Sequence, residues 1–172
     1  TGIADGQRVQ SLGGAKIHMV VLPDADLDLA ADQAVNAGFG SAGERCMAIS
    51  VRLAVGDIAD ELVAKIKDRA LALRTGDGAT GCDMGPLVTA GAKARVSGFI
   101  AAGQEAGATL VVDGREVDPN PDGYFVGPTL FDHVDPAMSI YTEEIFGPVL
   151  SVIRVESYDQ ALALINANPY GN

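Results

Sequence analysis

The chain reads as an α/β fold, a mostly parallel sheet covered by helices on both faces in three layers, on three observations. Short apolar runs alternate with longer segments whose apolar residues recur at helical spacing, the order that builds parallel sheets. The length of 172 residues suits one domain. With 48% hydrophobic and 20% charged residues, the chain can bury a sizeable core and does not have the composition of a disordered segment.

The first strand is predicted at 17–21, an apolar run of Ile17, Met19, Val20 and Val21 closed by Pro23. Asp24 and Asp26 then offer a cap and first-turn carboxylates to a helix from Leu27 to about Gly38. Val51 to Val55 alternates in strand fashion. Ile58, Leu62, Val63, Ile66, Ala70 and Leu73 recur at helical spacing, so a helix is predicted over 58–74, ended by Thr75-Gly76-Asp77-Gly78. Another helix is expected over 89–106, with Val96, Phe99 and Ile100 on its apolar face and Gly107 as its stop. Leu110 to Val112 reads as a strand leading to a turn pair, Asp113-Gly114. Residues 117–123, rich in Pro, Asn, Asp and Gly, read as a surface loop. Strands are expected near 124–131 and 149–155, and a last helix over 158–166 with Ala161, Leu162 and Ile165 inward.

Composition also removes function classes. A net charge of -11 disfavours nucleic acid, whose phosphates need a basic surface, and disfavours anionic membranes equally. No apolar run approaches the length that spans a bilayer. The two cysteines lie 36 residues apart without Cys-x-x-Cys, which gives neither a disulfide framework nor a zinc site and suits a reducing compartment. His18 and His133 lack ligand spacing, so no metal is expected. The chain has no Gly-x-Ser-x-Gly elbow of a serine hydrolase and no Gly-x-Gly-x-x-Gly dinucleotide fingerprint.

The richest stretch is 39–50, Phe-Gly-Ser-Ala-Gly-Glu-Arg-Cys-Met-Ala-Ile-Ser. A thiol reacts as the thiolate, so a useful cysteine needs positive charge and open access. Gly38, Gly40 and Gly43 allow backbone to approach Cys46, and Arg45 supplies the charge. On these residues alone, a buried core cysteine is the favoured reading. Cys82 lacks such a context and reads as a bystander.

The segment Phe-x-x-x-Gly-Glu-x-Cys-Met-Ala-x-Ser resembles the active-site signature of the NAD(P)-dependent aldehyde dehydrogenase superfamily. Further matches follow in order: Met84-Gly85-Pro86-Leu87, Gly123-Tyr124-Phe125 with Gly127-Pro128-Thr129, Glu143-Glu144-Ile145-Phe146-Gly147-Pro148-Val149, and Asn168-Pro169-Tyr170-Gly171. The resemblance implies that Cys46 is the nucleophile and that its backbone N–H helps to hold the oxyanion. It implies that Glu144 takes the nicotinamide-ribose hydroxyls, that Phe146 packs beside the nicotinamide, and that Gly13 offers backbone to the cofactor. Spacing alone would make Glu144 a solvated carboxylate and Phe146 a core aromatic; Glu143 is the weaker of the two acids. Arg45 is a candidate for binding a substrate carboxylate, with an ion pair to Glu44 or a neighbouring acid as the alternative.

Many members of the family carry Glu-Leu-Gly-Gly-Lys ahead of the cysteine, the glutamate activating the hydrolytic water. Here the matching stretch is Ser11-Leu12-Gly13-Gly14-Ala15-Lys16, with no carboxylate. Water attacking a thioester without a general base loses a factor of about 100 to 10,000, whereas a thiol acceptor needs less help. The missing base points to coenzyme A as acyl acceptor. Together with Arg8-Val9-Gln10-Ser11, Gly14-Ala15-Lys16-Ile17-His18, Pro23-Asp24-Ala25 and Arg45-Cys46-Met47-Ala48, it resembles the methylmalonate-semialdehyde dehydrogenase branch, although Ile17 stands where that branch more often has Asn. The resemblance implies oxidation of malonate or methylmalonate semialdehyde with NAD, decarboxylation and transfer to coenzyme A, in a cytoplasmic homo-oligomer, or a mitochondrial one if a targeting segment precedes. Residues 1–172 are then expected to be the cysteine-bearing catalytic domain of a longer chain, inactive alone, with the cofactor domain upstream. A hydrolytic aldehyde dehydrogenase and a non-catalytic oligomerisation module are the alternatives.

Overall fold

A computed structural model of the chain describes residues 4–6, 8–9, 13–117 and 119–170. Five strands form one sheet: β1 (Ile17–Val21), β2 (Ile49–Val55), β3 (Thr109–Val112), β4 (Thr129–Asp132) and β5 (Val149–Val155). Their order across the sheet is β1-β2-β5-β4-β3, and every neighbouring pair is parallel except β3 with β4. The helices are α1 (Leu27–Phe39), α2 (Ala59–Ala72), α3 (Ala90–Glu105), α4 (Ser139–Thr142) and α5 (Tyr158–Ala167). The sequence-based α/β reading, with a mostly parallel sheet, therefore holds.

The strand register explains how the helices divide between the faces. His18, Val51, Ser151 and Phe131 stand side by side across β1, β2, β5 and β4, and parallel neighbours in register point to one face. That face carries α3, α4 and α5. Phe131 and Ile140 close on Gly103 of α3 so tightly that an added Cβ would lie 2.9 Å from Ile140 and 3.1 Å from Phe131. His18 Nε2 lies 3.1 Å from the Tyr141 hydroxyl, which donates to Leu164 O of α5. The other face carries α1 and α2. Leu150 sits under Gly38 of α1, Arg52 donates to Ala34 O, and Arg154 bridges Asp132 and Asp60, where α2 begins.

Helix starts follow local chemistry. The Asp26 carboxylate accepts from the N–H groups of Asp28 and Leu29 at 3.0 and 3.1 Å, capping α1 as expected. Thr89 and Ser157 cap α3 and α5 in the same way. Among the described residues no helix is long and apolar enough to cross a membrane.

One strand is shorter than expected, and one short helix has no counterpart in the sequence reading. The segment 124–131 pairs only over Thr129–Asp132; Phe125 to Pro128 is buried but runs outside the ladder. Asp113-Gly114 does turn the chain as expected: Asp113 caps a short 3-10 turn over Gly114–Glu116, its carboxylate accepting from Arg115 N–H at 3.0 Å. A Cβ on Gly114 would lie 1.9 Å from Gly127 O, so this glycine also serves close backbone approach. The single-turn α4 was not foreseen, since four residues carry too little periodicity to be read.

Candidate active site

Each element of the site precedes a strand. Gly13–Lys16 leads into β1, Glu44–Ala48 into β2, and Glu143–Pro148 into β5. Open parallel sheets usually receive ligands at the carboxyl ends of their strands. Here the chemistry-bearing residues gather at the amino ends.

The turn carrying Cys46 begins where α1 stops. Ser41 and Ala42 both adopt φ 54°, and Gly43 follows at φ 70°. Such left-handed positions cost non-glycine residues roughly 1–2 kcal/mol each, so packing must hold them. Gly43 lies against the backbone of Gly147, with an added Cβ only 2.2 Å from Gly147 O. Arg45 folds back over Gly40 and donates to Asn36 O and Ala37 O at 3.2 and 3.3 Å, satisfying carbonyls at the end of α1. Glu44 does not pair with it; its carboxylate accepts from Val88 N–H at 3.0 Å. The Cys46 side chain is left exposed, and the buried alternative falls.

Phe146 is brought to the thiol by another left-handed residue, its own φ being 54°, and its ring remains 37% exposed rather than in the core. Glu144 is half-buried and Glu143 exposed. Cys46, Arg45, Ser50, Glu144, Phe146 and Gly147 help to line one cleft with about 350 Å³ of empty space, open to solvent. On its other side, Cys46, Arg45 and Phe146 border a wider cleft with Gln33, Asn36, Glu44 and Met47. Thus Cys46, Arg45, Glu144 and Phe146 come together. Gly13 does not join them: it is exposed and lines neither cleft, although Ala15 lines the first. Ser11 and Leu12, where the missing base was read, lie outside the described residues. Cys82 lines a separate cleft with Thr75, Asp77 and Tyr124.

Lys16 was passed over as part of a motif, yet it is 1% exposed and holds the site from beneath. Its ammonium donates to Ile140 O at 2.8 Å and Glu143 O at 2.7 Å. The only sequence signal was a lysine set directly before an apolar strand. Beside it Gly14, at φ 84°, makes room for the Tyr170 ring, which an added Cβ would strike at 2.4 Å. Burial depresses the Lys16 pKa from 10.5 to about 8, against the opposing pull of Glu144 and Glu143.

This shift has a sign. Below about pH 8 the lysine is charged in both folded and unfolded chains, and the fold bears its desolvation. Between about pH 8 and 10.5 the unfolded chain binds the extra proton, so stability rises with pH, by on the order of 3 kcal/mol across the window. Burial lowers the Arg52 pKa as well and acts in the same sense. The urea midpoint is expected to increase from pH 7.5 to 9, and Lys16→Met should remove most of that increase. A midpoint that falls over this interval in the parent would contradict the assignment.

The model of the aldehyde dehydrogenase family matches residues 2–172. A malonate-semialdehyde dehydrogenase of Pseudomonas aeruginosa is 55% identical over 175 residues, covering 99% of this chain and 35% of that protein. The crystal structure of methylmalonate-semialdehyde dehydrogenase from Oceanimonas doudoroffii superposes with a TM-score of 0.94 at 51% identity, over 99% of this chain and 36% of that one. A 1-pyrroline-5-carboxylate dehydrogenase from Thermus with bound NAD gives a TM-score of 0.87 at 37% identity, over 92% of this chain and 30% of that one. The chain spans about a third of the length of the curated relatives it matches.

Proposed function

This chain belongs to the aldehyde dehydrogenase family, and from that premise we propose that it is the cysteine-bearing catalytic domain of an NAD-dependent, coenzyme-A-acylating dehydrogenase of malonate or methylmalonate semialdehyde. The observation that carries the reading is the meeting of Cys46, Glu144 and Phe146 in one cleft from segments far apart in sequence. These residues fit the cofactor: Glu144 offers a carboxylate acceptor to vicinal ribose hydroxyls, and the half-exposed Phe146 ring offers a flat face to the nicotinamide. When bound, NAD supplies the hydride acceptor.

The Cys46 thiolate adds to the aldehyde carbon, forming the Sγ–C bond of a thiohemiacetal, while its backbone N–H donates to the developing oxyanion. Loss of hydride leaves a thioester on Sγ. The thiolate of coenzyme A then attacks that carbonyl and Cys46 departs as thiolate, free for another cycle. Arg45 is anchored on α1 through Nη2, which leaves its remaining N–H groups to orient the substrate carboxylate. When the C–C bond to that carboxylate breaks, carbon dioxide leaves, the electron pair passes into the thioester as an enolate, and the alpha carbon takes a proton from solvent. The names of the relatives, malonate- and methylmalonate-semialdehyde dehydrogenases, support this choice of substrate.

The test is NADH formation from methylmalonate semialdehyde, with and without coenzyme A, by protein expressed from its complete reading frame. Strict dependence is expected, with propionyl-CoA and carbon dioxide as products. Full turnover to a free acid without coenzyme A would overturn the acylating reading in favour of hydrolysis.

A further inference from the structure

We propose that Lys16 is a positioning residue: its buried ammonium, donating to the carbonyls of Ile140 and Glu143, fixes the segment that presents Glu144 and Phe146 beside Cys46, and so sets how tightly that segment receives the nicotinamide ribose. The clause on the ribose rests on the function proposed above; the clause on the segment does not.

Lysine is almost never fully buried unless paired, and this one is paired with main-chain oxygens instead of a carboxylate. A methionine would fill the same slot without the cost of removing a charge from water. What the ammonium adds is donors. The helix it serves, α4, is a single turn whose last carbonyls have no helical partner, and so short a helix has little stability of its own. Lys16 satisfies one carbonyl within that turn and the carbonyl of Glu143 just beyond it.

Glu144 is the next residue along. From there the chain is held again by Arg95 of α3, which donates to Ile145 O and Phe146 O, and by the Gly43–Gly147 contact. Cations on backbone oxygens thus pin the segment at both ends and leave its side chains free for the cleft. The charged or titratable groups facing Lys16 are Glu143 and Glu144 on that segment and His18 on β1, whose own pKa is lowered by burial first and by the Lys16 charge second. The two carboxylates favour the ammonium, so the lysine and the segment it holds attract each other through charge as well as through donated protons.

The experiment compares Lys16→Met with the parent, both expressed from the complete reading frame, by amide hydrogen exchange and by calorimetric titration with NAD. Expected are exchange at Glu144 to Gly147 faster by about tenfold and an NAD Kd raised by about tenfold, the loss of one charge-assisted hydrogen bond read as an equilibrium ratio. Global stability at pH 7 should be unchanged or higher. Unchanged exchange, or a fall in global stability without change in exchange or Kd, would reduce Lys16 to packing and overturn the proposal.

Glu144→Gln separates the two clauses. If that variant binds NAD as the parent does while Lys16→Met loosens the segment, the ribose assignment fails and the positioning role stands. If Glu144→Gln weakens binding and Lys16→Met changes neither readout, the positioning role fails alone. A parent that binds no NAD removes the ribose clause, and exchange still decides the other. Should Lys16→Met not fold, Lys16→Gln, which is too short to reach both carbonyls, is read by the same criteria.

Discussion

Cys46→Ser is expected to lower NADH formation by about four orders of magnitude or more, the scale on which removing a nucleophile acts in covalent catalysis, while leaving stability within about 0.5 kcal/mol, as exposed substitutions do. The two halves of this expectation have different origins. A hydroxyl keeps its proton at neutral pH, where a thiol is already partly ionised, so the variant retains shape and loses the attacking species. The side chain is solvent-exposed and supports nothing in the core. Steady-state rates with semialdehyde, NAD and coenzyme A provide the check, together with alkylation by iodoacetamide. Exposed Cys46 should be labelled before half-buried Cys82. A loss of less than tenfold would remove Cys46 from the nucleophile's role.

Gly43→Ala should produce the largest structural effect at the site. Its φ of 70° already disfavours a side chain, and the new Cβ would lie 2.2 Å from Gly147 O and 2.5 Å from Gly147 C. Both obstacles are backbone, so no rotamer change relieves them. Strained φ and overpacking together should cost about 3 kcal/mol or more. Relief requires the Glu143–Pro148 segment to move away from the thiol, so activity should fall with stability. Urea midpoints and rates measured on one preparation test this; a cost under about 1 kcal/mol would mean that the contact yields easily.

These contacts show where sequence reading worked and where it stopped. Long helices such as α2 and α3 were legible because their apolar periodicity repeats over several turns, and Asp26 announced α1 through its capping chemistry. Cys46, Glu144 and Phe146 were legible as residues through the motifs around them, but their meeting across the amino ends of β2 and β5 follows from strand order, which no local pattern encodes. The turn at Gly114 was legible but its second role was not, because a glycine that permits backbone approach looks like any turn glycine until the opposing Gly127 is known. Lys16 escaped for the same reason: burial of a charge is decided by partners, and both of its partners lie more than 120 residues away.

The wide sequence gap between the Cys46 turn and the segment that faces it has a consequence in time. Gly147, against which Gly43 must seat, is synthesised roughly 100 residues after the thiol, which at ribosomal speeds is about 5–20 seconds. Throughout that interval the newborn chain carries the Cys46 thiol with neither Glu144 nor Phe146 yet made. Until Gly147 is made, the Cys46 thiol therefore lacks the Glu143–Pro148 wall of the cleft that it borders in the finished fold.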